Sequence, residues 1–243
     1  MLRGLLSAAT FIVSTTVLGL LAIVAAGVTG RPNIVMRLGR LWSRLQFLVM
    51  GIRPTYRGLE HASGTAPRIF LANHLSALDI WALTAAVPVT TRFVSKRSVF
   101  WIPVLGQAMA VAGFVPIDRK DRRRAVESLA KAAERIRGGA SVILFPEGTR
   151  SRDGRLAPFK KGAFHLALRA GVPVVPVAIS GTGKVVRPRS MVVTPGPVNV
   201  TFESPIEVAP FLPDDVEGLS ARVRGAIVAH LAADEVAEVS PAP

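Results

Sequence analysis

Hydrophobic and polar positions divide the chain into two unlike parts. Between Arg3 and Arg31 no residue is charged. At about 1.5 Å per helical residue that run reaches across a hydrocarbon core of roughly 30 Å. A cleaved signal peptide would carry an apolar region of only ~7–15 residues and a small-x-small cleavage site. This run is longer and ends without such a site, so it predicts a retained membrane helix. Next, Leu38, Leu41, Trp42, Leu45, Phe47, Leu48 and Val49 interleave with Arg37, Arg40 and Arg44. That is the pattern of a helix lying in a headgroup layer, or of an amphipathic helix docked on a domain.

From about Thr55 short apolar runs alternate with amphipathic stretches. The runs at 68–72, 91–95, 113–117, 141–145 and 174–179 read as strands. The stretches at 76–87, 101–111, 121–137 and 160–170 read as helices, two of them closed by Gly138-Gly139 and Gly171. A late hairpin is expected from 192–194 and 198–202 around Pro195-Gly196-Pro197, then a closing helix over 220–232. Alternation of this kind predicts an α/β fold: a mixed, largely parallel sheet flanked by helices, with an N-terminal membrane-associated helical segment. The expected layout is anchoring helices over 1–52, an α/β domain over 53–233 and a disordered tail over 234–243. Sites in such sheets lie beyond the carboxyl ends of strands.

Composition narrows the chemistry. The chain has no cysteine, which excludes disulfides, thiolate nucleophiles and cysteine metal sites. With four histidines in all, a multi-histidine metal centre is not expected. The net charge of +14 suits anionic partners such as acidic headgroups, phosphorylated small molecules or nucleic acid. A single tyrosine and few interleaved aromatics argue against nucleic acid. Arg31, Arg37, Arg40, Arg44, Arg53 and Arg57 follow the apolar run with no acid before Glu60. The positive-inside rule makes that side cytoplasmic.

Four blocks carry candidate chemistry. Asn73-His74-Leu-Ser76-Ala-Leu-Asp79 ends an apolar run with a base for activating a hydroxyl and an acid that can fix its tautomer. Ser76-x-x-Asp79 is equally a capping box for the following helix. Gly113-Phe-Val-Pro-Ile-Asp118-Arg119 places a guanidinium, suited to phosphate, at a strand end; the run Arg122–Arg124 reads as a solvated face. Phe145-Pro-Glu147-Gly148-Thr149-Arg150 is a tight turn offering a hydroxyl and a guanidinium to an anion, with Arg152, Arg155, Lys160 and Lys161 extending a basic rim. Gly171-Val-Pro173-Val-Val-Pro176-Val-Ala-Ile179 reads as an edge or bulged strand because of its prolines, either walling a cleft or filling the core.

These blocks, in this order and spacing, resemble the glycerophospholipid acyltransferase family, and within it the bacterial 1-acyl-glycerol-3-phosphate acyltransferase branch. The combination of His-x4-Asp with Phe-Pro-Glu-Gly-Thr-Arg is the specific part. The resemblance implies transfer of an acyl group from acyl-CoA or acyl-carrier protein to the sn-2 hydroxyl of a lysophosphatidate, at the cytoplasmic side of a cell inner membrane and without metal or cofactor. It assigns His74 as general base and Asp79 as its orienting partner. It places Arg119, Glu147, Gly148, Thr149 and Arg150 around the acceptor's glycerol phosphate, with Lys96 a further phosphate candidate by position. Leu75 and Pro116 depart from the family pattern, which leaves a different lysolipid acceptor as the alternative.

Overall fold

The computed structural model describes residues 2–118, 121–186, 192–212 and 215–236. Two helices open the chain, α1 (Leu2–Thr29) and α2 (Asn33–Met50). The α/β part then runs β1 (Thr55–Arg57), α3 (Leu59–Ala62), β2 (Ile69–Ala72), α4 (Leu78–Ala86) and β3 (Arg92–Lys96). A 3-10 turn at Arg97–Trp101 leads to α5 (Leu105–Val111), β4 (Val115–Ile117), α6 (Arg122–Arg137) and β5 (Val142–Leu144). It closes with α7 (Gly162–Ala170), β6 (Val174–Ser180), α8 (Thr182–Val185), β7 (Asn199–Phe202) and α9 (Val216–Val228).

Among the described residues seven strands lie in the order β1-β7-β6-β2-β5-β3-β4. Every neighbouring pair is parallel except β6 with β7. Parallel strands covered on both faces must be apolar on both faces, and β2 shows how this is met. Its alternate residues Phe70 and Ala72 join one buried cluster with α2 and α4. Ile69 and Leu71 join a second with α6, α7 and α9. β2 lies between β5 and β6, so its carboxyl end opens at the middle of the sheet.

Three expectations change. The 192–202 hairpin does not form: β7 pairs antiparallel with β6 and parallel with β1, while Thr194 N–H bonds the carbonyl of Val185. The proline-bearing strand β6 is interior, buried along its whole length. Its register with the chain beyond β7 slips by one residue between the Val174–Ile206 bridge and the Val177–Phe202 pair. That bulge accommodates Pro176, which has no N–H to give. The helix expected over 101–111 is split, because Val104 sits at φ +65 in a tight turn where Leu105 N–H bonds the Pro103 carbonyl at 2.7 Å, a strained conformation for a β-branched residue. Of the expected tail, residues 237–243 lie outside the described residues. Ala233–Glu235 form a 3-10 turn and Glu235 is buried.

The segment Gly4–Thr29 contains an 18-residue window with a mean hydropathy of 2.4 and is long and apolar enough to cross a membrane. Its burial is inverted relative to a soluble helix. Ser7, Ser14, Thr15, Ala22 and Ala26 face the protein, while Leu5, Ile12, Val13, Val17, Leu20, Leu21, Val24 and Val28 are exposed. Small residues let α2 approach closely, and Gln46 Nε2 and Trp42 Nε1 donate to Ser14 Oγ (2.8 Å) and Thr15 Oγ1 (3.0 Å). Phe11, Trp42 and Trp81 then stack α1, α2 and α4 together.

Candidate active site

The apolar run of β2 stops at Asn73, whose side chain both donates to Ile179 O (2.8 Å) and accepts from Ile179 N–H (2.7 Å). This amide clamp fixes where the chain leaves the sheet, and His74 is the next residue. Its ring stacks on Phe145 at 4.0 Å between centroids and 16° between planes. Nδ1 lies 2.8 Å from Asp79 Oδ2. An ionised carboxylate only accepts, so Nδ1 carries the hydrogen and Nε2 keeps its lone pair.

Asp79 is fully buried, and its oxygens are fully engaged. Oδ2 also accepts from Leu75 N–H (2.7 Å) and Ser76 N–H (2.8 Å). Oδ1 accepts from Thr182 Oγ1 (2.5 Å). The capping and orienting readings of Asp79 are therefore one arrangement: the carboxylate ties the amides that open α4 and the imidazole of His74 to one point. These donors hold a buried charge that would otherwise be costly.

Glu147 does not line the open side of the site. At 2 % exposure, its Oε1 accepts from His74 N–H (2.6 Å) and its Oε2 from Ala157 N–H (2.9 Å). Burial pushes its carboxyl up to about 7, against these two amides, which pull it down. Ser151 N–H bonds the His74 carbonyl (2.8 Å), so the Phe145–Ser151 turn grips His74 through both backbone groups. Gly148 takes φ +74 within that turn, a conformation that glycine adopts without strain.

His74, Lys96, Thr149 and Arg150 all line a cavity of about 480 Å³. It runs inward from the site between α1, α2, α4 and α5, along Phe11, Met36, Gly39, Trp81 and Met109. The structure thus brings one imidazole, two cations and a hydroxyl to an apolar slot. Arg119 lies outside the described residues. Thr182, Phe145 as a stacking partner and the Glu235 turn are the contributors that sequence reasoning missed. Only Gly181-Thr182 following a strand end offered a signal. Among the described residues no group of three or more His, Asp and Glu could hold a metal ion.

A family model described as Acyltransferase matches residues 53–180, which takes in the elements of this site except α1, α2, the loop beyond Ser180 and the Glu235 turn. The chain belongs to the acyltransferase family. It is 40 % identical over 195 residues to a chloroplastic 1-acyl-sn-glycerol-3-phosphate acyltransferase of Brassica napus, covering 74 % of this chain and 55 % of that one. It is 34 % identical over 208 residues to the human 1-acyl-sn-glycerol-3-phosphate acyltransferase alpha, covering 85 % and 74 %. The chain spans about half the length of the chloroplast relatives it matches. The crystal structure of the 1-acyl-sn-glycerophosphate (LPA) acyltransferase PlsC from Thermotoga maritima superposes with a TM-score of 0.80 at 27 % identity, covering 93 % of both chains.

Proposed function

We propose that this chain moves an acyl group from acyl-CoA or acyl-carrier protein to the sn-2 hydroxyl of 1-acyl-glycerol-3-phosphate, giving phosphatidate. The observation that carries the reading is the His74–Asp79 pair at the head of an apolar slot whose lining also includes Lys96 and Arg150. A lysolipid with an anionic head matches that lining: the slot takes chain, and the two cations take phosphate. The names of the relatives support the same acceptor.

In this mechanism Nε2 of His74 removes the proton of the sn-2 hydroxyl while that oxygen attacks the thioester carbonyl. The tetrahedral intermediate collapses, the carbon–sulfur bond breaks, and the departing thiolate takes the proton back from the imidazolium. Asp79 holds the tautomer and stabilises the imidazolium. Glu147 and Ser151 fix the His74 backbone, and Thr149 and Arg150 hold the acceptor head. A thioester is reactive enough that positioning and one base suffice.

The lipid-like outer face of α1 and the arginines that follow it support action at the cytoplasmic face of a cell inner membrane. The test is acyl transfer by purified protein across a panel of lysolipids with acyl-CoA and acyl-carrier protein as donors. Lysophosphatidate should be the preferred acceptor, and His74→Ala should lose on the order of 10³-fold in kcat while melting as the wild type does. Near-wild-type turnover in His74→Ala ends the proposal; preference for another lysolipid replaces the acceptor.

A further inference from the structure

The loop after β6 has a role in the site that neither the motifs nor the family match reaches, since the match ends at Ser180. β6 runs parallel to β2, with Ala72 beside Val177, so the two chains leave the sheet side by side. Asn73 bridges them through Ile179. Three residues on, Thr182 is fully buried and directs Oγ1 at Asp79 Oδ1, 2.5 Å away. Among the described residues, every other donor to Asp79 lies on the β2–α4 connection and reaches Oδ2. Thr182 is the one bond to Oδ1 and the one bond to Asp79 from another part of the chain.

The loop is built to hold this hydroxyl still. Gly181 takes φ +88, and a Cβ there would meet the Pro197 carbonyl oxygen at 2.0 Å, so the close approach of the two backbones requires glycine. Glu235, 3 % exposed, accepts from Gly181 N–H (2.7 Å) through Oε1 and from Ser180 Oγ (2.5 Å) through Oε2. Its own carbonyl accepts from Leu156 N–H (2.8 Å), next to the Ala157 amide that holds Glu147.

We infer that Thr182 is a positioning residue for the His74–Asp79 pair, with Glu235 the strut that holds Thr182 in place. By fixing Oδ1, the hydroxyl sets the rotation of the carboxylate and hence the aim of Oδ2 at Nδ1. Without it the buried carboxylate has no partner on one oxygen and turns away from the imidazole. Thr182 is fully buried and does not line the cavity, so it acts through Asp79.

The inference rests on His74 being the base, and the experiment separates the two. Steady-state acyl transfer to lysophosphatidate is measured for Thr182→Val, Thr182→Ala and Thr182→Ser, with His74→Ala alongside and a thermal melt for each protein. Thr182→Val and Thr182→Ala are expected to lose roughly 10- to 100-fold in kcat with KM for donor and acceptor unchanged. Thr182→Ser, which keeps the hydroxyl, should recover most of it. Glu235→Ala should lower kcat by a smaller factor, again without a change in KM. Wild-type kcat in a folded Thr182→Val or Thr182→Ala, or a Thr182→Ser as impaired as they are, overturns the positioning role. An active His74→Ala overturns the base reading and this one with it. Should the valine variant fail to fold, the alanine and serine pair still decides.

Discussion

The helical hairpin and the strand-end site solve opposite burial problems with the same backbone rules. In α1 most large aliphatic side chains point outward, and the buried positions are small or hydroxyl-bearing, Ser7, Ser14, Thr15 and Ala22 among them. In the sheet the large side chains point inward, and the two buried carboxylates around His74, Asp79 and Glu147, lie beyond the carboxyl ends of β2 and β5. The hairpin interior is joined by neutral groups, with an indole and an amide N–H of α2 donating to two hydroxyls of α1. The site interior holds two carboxylates, which accept from four backbone amides, one imidazole and one hydroxyl. An outward apolar face is stable only against lipid or another apolar partner. A buried carboxylate is stable only when its oxygens are matched. The apolar slot lies on the seam between these regions, lined by α1 and α2 on one side and by His74 on the other.

The strongest way to break the site half of this comparison is to unmatch Asp79. In Asp79→Asn the amide oxygen stays against the Leu75 and Ser76 N–H groups and the NH2 turns to the Thr182 hydroxyl, which can accept. The imidazole loses its counter-charge, so kcat is expected to fall on the order of 10³-fold, and the weaker neutral acceptor loosens the opening turn of α4 and lowers the melting temperature. A variant with more than a tenth of wild-type kcat would show that the pair is a structural contact only.

The hairpin half is tested by putting charge on the outer face. Leu20→Asp with Val24→Asp changes two exposed positions and leaves the α1–α2 contact intact. At roughly 2.5–3.5 kcal/mol for each charge placed in a hydrocarbon core, flotation with anionic vesicles should drop more than about tenfold. Turnover on detergent-dispersed lysolipid should stay within about twofold. Unchanged flotation would mean that this face meets something other than lipid.

The legible part of the molecule was the part set by local pattern. α1 shows as an uncharged run, β2 as an apolar run broken at Asn73, and α7 ends where Gly171 allows a left-handed turn. What escaped depends on partners distant in sequence. β1 is three residues, Thr-Tyr-Arg, that become a strand only because β7 lies beside them. The residues at 192–194 have the apolar character of a strand, but β6 takes Asn199–Phe202 as its partner instead. Within the site, His74 and Asp79 are five apart and readable as a pair. Thr182 stands 103 residues from Asp79, and Glu235 stands 55 from Ser180, where the sequence offers only a polar residue in a loop and an acid near the chain end. Glu147 was visible but misassigned in direction: the motif identified the turn, whereas burial decided that its carboxylate faces the His74 amide and not the open slot.

That burial gives the subtlest test, because it makes stability depend on pH at the site and not in the hairpin. An unfolded glutamate titrates near its ordinary value of 4.5, whereas burial raises Glu147 in the fold to about 7. Between those values the folded chain holds a proton that the unfolded chain has released, so stability falls as pH rises through this window. The penalty is absent below about pH 4.5 and complete above about pH 7, and it amounts to roughly 3 kcal/mol at most. In Glu147→Gln this contribution disappears. A constant cost replaces it, since the Gln NH2 is set against one of the N–H groups of His74 and Ala157. The melting-temperature gap between wild type and Glu147→Gln should therefore be widest near pH 5 and narrow by several degrees at pH 8. Ser14→Ala, which removes a hydroxyl from the hairpin interior, should shift melting by the same amount at both pH values. A Glu147→Gln gap that does not change with pH would place Glu147 with the hairpin's neutral contacts and remove the distinction between the two interiors.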